Sequence, residues 1–251
     1  MPQNAIATYG SVTVDPSEIA RFAALADSWW DPAGKFKPLH RLNPLRLGFL
    51  RDRLTTHFGR DPAALRPFDG LRLLDIGCGG GLVAEPMARL GFVVTGIDAT
   101  AETVATAHAH AEQSGLAIDY RGMAAETLAA SAERFDVVLA LEIVEHVADL
   151  DAFLAAAATL VRPGGTFVAA TLNRTAKSYL FAVIGAEYVL GWLPKGTHEW
   201  RKFVRPSELA ASLRRNRLRI QEITGVTYNP LSEGWSLSTD LDVNYMVFAV
   251  S

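Results

Sequence analysis

Leu73-Leu74-Asp75-Ile76-Gly77-Cys78-Gly79-Gly80-Gly81 decides the fold. An apolar run ends in a turn with four glycines in five positions, and a helical pattern opens directly after it. Glycine is needed where a backbone takes positive φ or passes close to another group. The junction also presents backbone N–H groups at a helix N-terminus. In Val93-Val94-Thr95-Gly96-Ile97-Asp98 an acid closes the next apolar run. Neighbouring parallel strands share one crevice at their C-terminal ends. Asp98 is therefore expected beside the glycine turn, where a carboxylate can accept both hydroxyls of a ribose.

Outward from these two stretches the pattern alternates. Short apolar runs fall at Leu71–Ile76, Phe92–Ile97, Ala117–Tyr120, Phe135–Ala140 and Thr166–Thr171. Helical stretches at Leu82–Leu90, Ala101–Ser114, Ala124–Ala132 and Leu150–Val161 separate them, with Gly70, Gly91, Gly115 and Pro163-Gly164-Gly165 at the joints. This rhythm predicts βαβ units and a mostly parallel α/β sheet. A tail follows, with a helix opening at Pro206-Ser207-Glu208, strands near Leu218–Val226 and Val243–Val250, and a polar loop over Thr227–Asp242. Before the sheet, Asp15-Pro16-Ser17-Glu18 reads as a capped helix start. A second helix is expected from Asn43-Pro44 to about Phe58. Residues 1–66 are thus read as a lead-in and helical cap, and 67–251 as the main domain with an insertion at 174–203.

Composition narrows the function. Hydrophobic residues make up 49% of the 251 positions, enough for a sizeable core, and the net charge is −3. No basic block stands out, so nucleic-acid binding has no electrostatic support. The single cysteine, Cys78, allows neither a disulfide framework nor a cysteine-based zinc site within one chain. No secretory signal pattern precedes Arg21, the first basic residue, so a cytoplasmic location is expected.

Two nucleoside ligands fit a glycine turn followed by an acid. A dinucleotide pattern counted from Gly77 puts Leu82 at the third glycine, and counted from Gly79 it puts Ala84 there. Asp75, two residues before the first glycine, gives a pyrophosphate nothing. An ammonium group gains from it. The pattern therefore favours S-adenosylmethionine, which carries an ammonium and a sulfonium.

At this point Leu73–Gly81, Val93–Asp98, Phe135–Glu142 and Leu160–Thr166 together resemble the successive motifs of class I S-adenosylmethionine-dependent methyltransferases. That resemblance implies a Rossmann-like fold, a seven-stranded mostly parallel sheet with an antiparallel last strand. A narrower resemblance runs through Trp29-Trp30-Asp31-Pro32, Phe36–His40, Asn43–Arg46, Glu142–Val147, Thr171–Arg174, Gly185–Tyr188, Pro194–His198 and Val243–Met246. These segments are similar to the ubiquinone biosynthesis O-methyltransferases. The implied reaction is methylation of a phenolic hydroxyl on a polyprenyl catechol and on demethylubiquinol.

The resemblance implies that Arg46 pairs with the methionyl carboxylate of the methyl donor, with Asp75, Gly77, Gly79, Asp98 and Leu141 completing the nucleoside site. It places Ala124-Ala125-Glu126 at the adenine loop, without the acid that many class I enzymes carry there. Glu142, Glu145 and His146 are the chemically richest cluster. On a helical turn their spacing would put them on one face, where two carboxylates and an imidazole could ligate Mg2+ or another divalent cation and acidify a catechol. Without metal, His146 or Glu145 is the general base. A blander reading has Glu145 and His146 capping the following helix.

Within the insertion, Tyr179–Leu193 spans fifteen positions with one charge, too short to cross a bilayer. Flanked by Lys177 and Lys195 and carrying Tyr188 and Trp192, it reads as a lid over the substrate that also touches the inner membrane face. A helix buried in the core is the alternative. Expected partners are the polyprenylated catechol or quinol, the membrane surface and other ubiquinone-biosynthesis proteins. The rival functions are another small-phenol methyltransferase, a non-catalytic cofactor- or lipid-binding protein, and a nicotinamide dehydrogenase.

Overall fold

The computed structural model describes residues 13–180, 199–229 and 234–251. The expected lead-in up to residue 12 and most of the apolar insertion, including Tyr188, Trp192, Lys195 and His198, lie outside the described residues.

Among the described residues eight strands form one sheet: β1 (Arg72–Ile76), β2 (Val93–Asp98), β3 (Asp119–Gly122), β4 (Phe135–Leu141), β5 (Val161–Leu172), β6 (Arg219–Asn229), β7 (Gly234–Ser238) and β8 (Asn244–Val250). Their order is β3-β2-β1-β4-β5-β8-β6-β7. The first five run parallel, and β8 enters antiparallel between β5 and β6. The expected antiparallel last strand is present, but the sheet has one strand more than the seven anticipated. The addition is β7, inside the stretch read as a polar loop. It pairs only with β6, at the sheet edge. An edge strand with exposed Ser236 and Leu237 shows little apolar patterning, so its pairing was hidden from composition.

The central strands read as continuous apolar runs because helices cover both faces. Along β4, Val138 and Ala140 face a core shared with Phe153, Leu154 and Leu209, whereas Val137 and Leu139 face one shared with Leu50 and Met87. Burying one such leucine contributes about 1.5–3 kcal/mol.

The helices are α1 (Pro16–Ala23), α2 (Lys37–His57), α3 (Ala84–Arg89), α4 (Ala101–Gln113), α5 (Ala125–Ala129), α6 (Leu150–Leu160), α7 (Ala176–Ser178) and α8 (Pro206–Arg215). The Asp15 side chain caps α1 by accepting the Ser17 N–H, as its spacing suggested. Helix α2 starts well before Asn43-Pro44. Pro38 occupies its first turn, where a missing N–H costs nothing, and Pro44 sits inside it. That extra length, residues 37–42, puts Asn43 and Arg46 within the body of the helix and not in its first turn.

Candidate active site

The glycine turn lies over the ends of β1 and β2. Gly77 and Cys78 donate backbone N–H bonds to the Ile97 carbonyl at 2.8 and 3.1 Å, and Gly79 donates to Asp98 Oδ2 at 3.1 Å. Asp98 Oδ1 accepts the Thr100 N–H at 2.8 Å. Burial pushes the Asp98 carboxyl above its ordinary range, and these backbone donors oppose the shift. The Thr100 side chain adds a further hydrogen bond to the carboxylate. Gly79 has φ +53°, and a Cβ there would come within 2.4 Å of the Trp29 ring. The glycine is thus required by backbone conformation and by packing at once.

Arg46 is 3% exposed, and its Nη1 lies 3.8 Å from Glu142 Oε1. It also donates to the Asn43 side-chain oxygen, while Asn43 Nδ2 donates to the Leu82 carbonyl at 2.9 Å. Desolvation lowers the Arg46 pKa, and the charges of Glu142 and Asp75 work against that. Arg46 Nε is buried without a partner among the described residues. Leu141 closes β4 and lines the same cavity.

Asp75 is 3% exposed, and burial pushes its carboxyl up to about 7, only partly offset by Arg46 and reinforced by Asp98. An acid whose folded pKa is raised above its ordinary value of 3.8 makes stability fall as pH climbs from about 4 to about 7, and leaves it level above. Asp75→Asn is therefore expected to be more stable than the parent at pH 8, on the order of 2–4 kcal/mol, with the gap closing toward pH 4. Paired urea titrations at pH 5 and pH 8 check this; a gap that does not widen with pH refutes it.

The segment after β4 corrects one expectation. Residues 142–149 form turns, not a helix. Glu142 adopts φ +55°, a left-handed conformation rare for a residue with a Cβ, and faces Arg46. Glu145 is 3% exposed and accepts the Thr171 hydroxyl at 2.7 Å. Burial, then the charge of Glu142, raises its pKa. His146 Nδ1 lies 3.2 Å from Glu18 Oε2 on α1. The three side chains thus point to three different partners. Among the described residues no group of three or more His, Cys, Asp or Glu is placed to hold a metal ion. The helical face that would have gathered Glu142, Glu145 and His146 as cation ligands does not exist.

Glu18 is a site residue that local spacing could not reveal. Burial works to raise its pKa, but the hydrogen bond and charge of His146, with Arg21 and Lys202, outweigh it and hold the carboxyl below its ordinary range. The Phe22 ring meets His146 edge-on at 5.4 Å. Just before α1, the Thr13 carbonyl accepts the Ala148 N–H at 2.9 Å and its hydroxyl reaches Glu126. The N-terminal segment thereby spans from α5 to the loop after β4.

The Trp29-Trp30 pair, which in sequence carried only part of the narrower resemblance, also belongs here. Trp29 stacks on Phe36 with centroids 3.7 Å apart. Trp30 Nε1 donates to the Gly80 carbonyl at 2.9 Å, and its ring stacks on His110, whose Nδ1 is 2.6 Å from the buried Glu85. Two consecutive tryptophans between helices were the available signal. The result is one cavity of about 890 Å³. Asp98, Thr100 and Ala125 line it together with the glycine turn and Arg46, and its wall continues through His146, Tyr228 and Trp235.

A methyltransferase-domain family model matches residues 74–169. A ubiquinone biosynthesis O-methyltransferase of Paramagnetospirillum magneticum is 59% identical over 238 residues, 95% of each chain. Another, of Parvibaculum lavamentivorans, is 57% identical over 94% of each. Among solved structures, a Synechocystis magnesium protoporphyrin IX methyltransferase with bound S-adenosylhomocysteine matches with TM-score 0.62 at 16% identity over 94% of both chains. A methyltransferase from Aquifex aeolicus matches with TM-score 0.54 at 15% identity, covering 94% of this chain and 98% of that one. At such identity the two structures speak for the fold alone. Fold and sequence agree, and the chain belongs to the ubiquinone biosynthesis O-methyltransferase family.

Proposed function

We infer that this protein is an S-adenosylmethionine-dependent O-methyltransferase of ubiquinone biosynthesis, acting on the phenolic hydroxyl of a polyprenyl catechol and of demethylubiquinol. The observation that carries the reading is the continuous cavity, with ribose- and carboxylate-binding groups at one end and His146 among apolar side chains further along. When bound, S-adenosylmethionine supplies a methyl group already activated by positively charged sulfur. The protein's task is then placement and proton removal.

Asp98 takes the ribose hydroxyls, its two oxygens fixed by Gly79 and Thr100. Arg46 takes the amino-acid carboxylate and Asp75 the ammonium, with Gly77 and Leu141 shaping the passage between them. A phenol of pKa about 10 is scarcely ionised at neutral pH, so its proton must be removed as the methyl arrives. His146 lines the cavity and is held by Glu18, which fits that role. Glu145 is less suited: it is buried, and Thr171 already donates to it.

Radiolabelled methyl transfer to a short-tailed polyprenyl catechol tests the reading. Transfer to the catechol is the expected result. Transfer only to small, tailless phenols would overturn the substrate, and no transfer to any phenol would overturn the reaction.

We further propose that the 174–203 segment covers the substrate and meets the cytoplasmic face of the membrane, where a polyprenyl tail resides. Among the described residues no helix is long and apolar enough to cross a membrane. What supports the reading is the fifteen-residue stretch with one charge, flanked by lysines. Deleting 179–193 is expected to abolish co-sedimentation with liposomes. Equal co-sedimentation of deletion and parent would remove the proposal.

A further inference from the structure

Trp29 carries more than packing. Its side chain lines the cavity, yet the residue is only 7% exposed, and its indole N–H has no hydrogen-bond partner among the described residues. An indole nitrogen can only donate, and a buried donor left unmade costs roughly 1–3 kcal/mol. Such a group calls for an acceptor, from a ligand or from ordered water.

The ring is held firmly. Phe36 stacks on one side, Gly79 and Gly80 crowd it from the turn, and His40 Nε2 lies 2.9 Å from the Trp29 carbonyl. His40 stands on α2, the helix that also carries Asn43 and Arg46. Arg46 Nε and, on β7 across the cavity, Trp235 Nε1 are the other buried donors in its wall without a partner among the described residues. Trp29, against the glycine turn, and Arg46, beside Asp75 and Glu142, line the same cavity from the N-terminal cap, and two orphaned donors there suit a single anionic acceptor. The ribose hydroxyls are directed instead to Asp98.

We propose that the Trp29 indole N–H is a second donor, beside Arg46, to the carboxylate at the amino-acid end of the methyl donor. The assignment rests on the S-adenosylmethionine reading above and deepens it: Trp29 is a binding and positioning residue that distinguishes an amino-acid-bearing nucleoside from one without a carboxylate.

The test is calorimetry on the full chain with two ligands, S-adenosylhomocysteine and its decarboxylated analogue, which keeps the amine. Trp29→Phe retains an aromatic ring on the turn and removes the N–H. Its Kd for S-adenosylhomocysteine is expected to rise about tenfold, the effect of one hydrogen bond to a charged group. For the decarboxylated analogue the Kd should change less than about twofold. A benzothienylalanine at position 29 keeps the bicyclic shape without the N–H and should reproduce that pattern if Trp29→Phe alters the melting temperature. Equal weakening toward both ligands would show Trp29 acting through packing, and no weakening would show that its N–H meets nothing; either result overturns the proposal. Failure of the parent protein to bind S-adenosylhomocysteine is distinct, since it would overturn the methyl-donor reading itself.

Discussion

His146→Ala is expected to lower kcat for catechol methylation by about 10²–10⁴-fold, the range for losing a positioned general base. Affinity for S-adenosylhomocysteine should stay within a few-fold, because the imidazole faces Glu18 and Phe22, away from Arg46 and Asp98. The deficit should narrow as pH rises toward the phenol's own pKa of about 10, where substrate arrives ionised and needs no base. Rapid-quench methyl transfer from pH 6 to pH 9.5 checks both limbs. A kcat loss that is constant across that range would mean His146 shapes the cavity without handling the proton.

Arg46→Met should act on the other end of the site. Removing one member of a buried, charge-assisted contact costs about 2–5 kcal/mol, which corresponds to a loss of about 30-fold or more in affinity for S-adenosylhomocysteine. The loss should largely vanish for 5′-methylthioadenosine, which has the sugar and base but no amino-acid arm. Methionine keeps much of the buried volume, so the apo protein should still fold. Leaving Asp75 and Glu142 without their buried cation shifts Asp75 further toward its protonated form. An unchanged Kd for S-adenosylhomocysteine would sink the assignment of Arg46.

Much of this architecture could be read directly from the chain. β1 and β4 announce themselves because helices bury both of their faces, which forces continuous apolar runs. The glycine turn and Asp98 were legible because strand ends in a parallel sheet converge, a rule of topology needing no side-chain detail. What escaped depended on contacts with no local period. Glu18 reaches His146, and Trp30 reaches Gly80, across long stretches of chain that only tertiary docking brings together. The helical face expected of Glu142, Glu145 and His146 failed for a related reason. Spacing of three and four residues gathers side chains only if the backbone is helical, and the left-handed Glu142 breaks that condition at its first member. Pro44 misled in a smaller way, since a proline inside a helix looks like a start when the true start at Lys37 is only about two turns earlier.

The position of β8 has a consequence for how the molecule is made. Residues 244–250 pair with β5 on one side and β6 on the other. Until a ribosome has delivered them, both neighbours stand as open edges in the middle of the sheet. Such edges invite pairing with other nascent chains. Synthesis rate and chaperone occupancy while that strand is being made should therefore bear directly on the soluble yield.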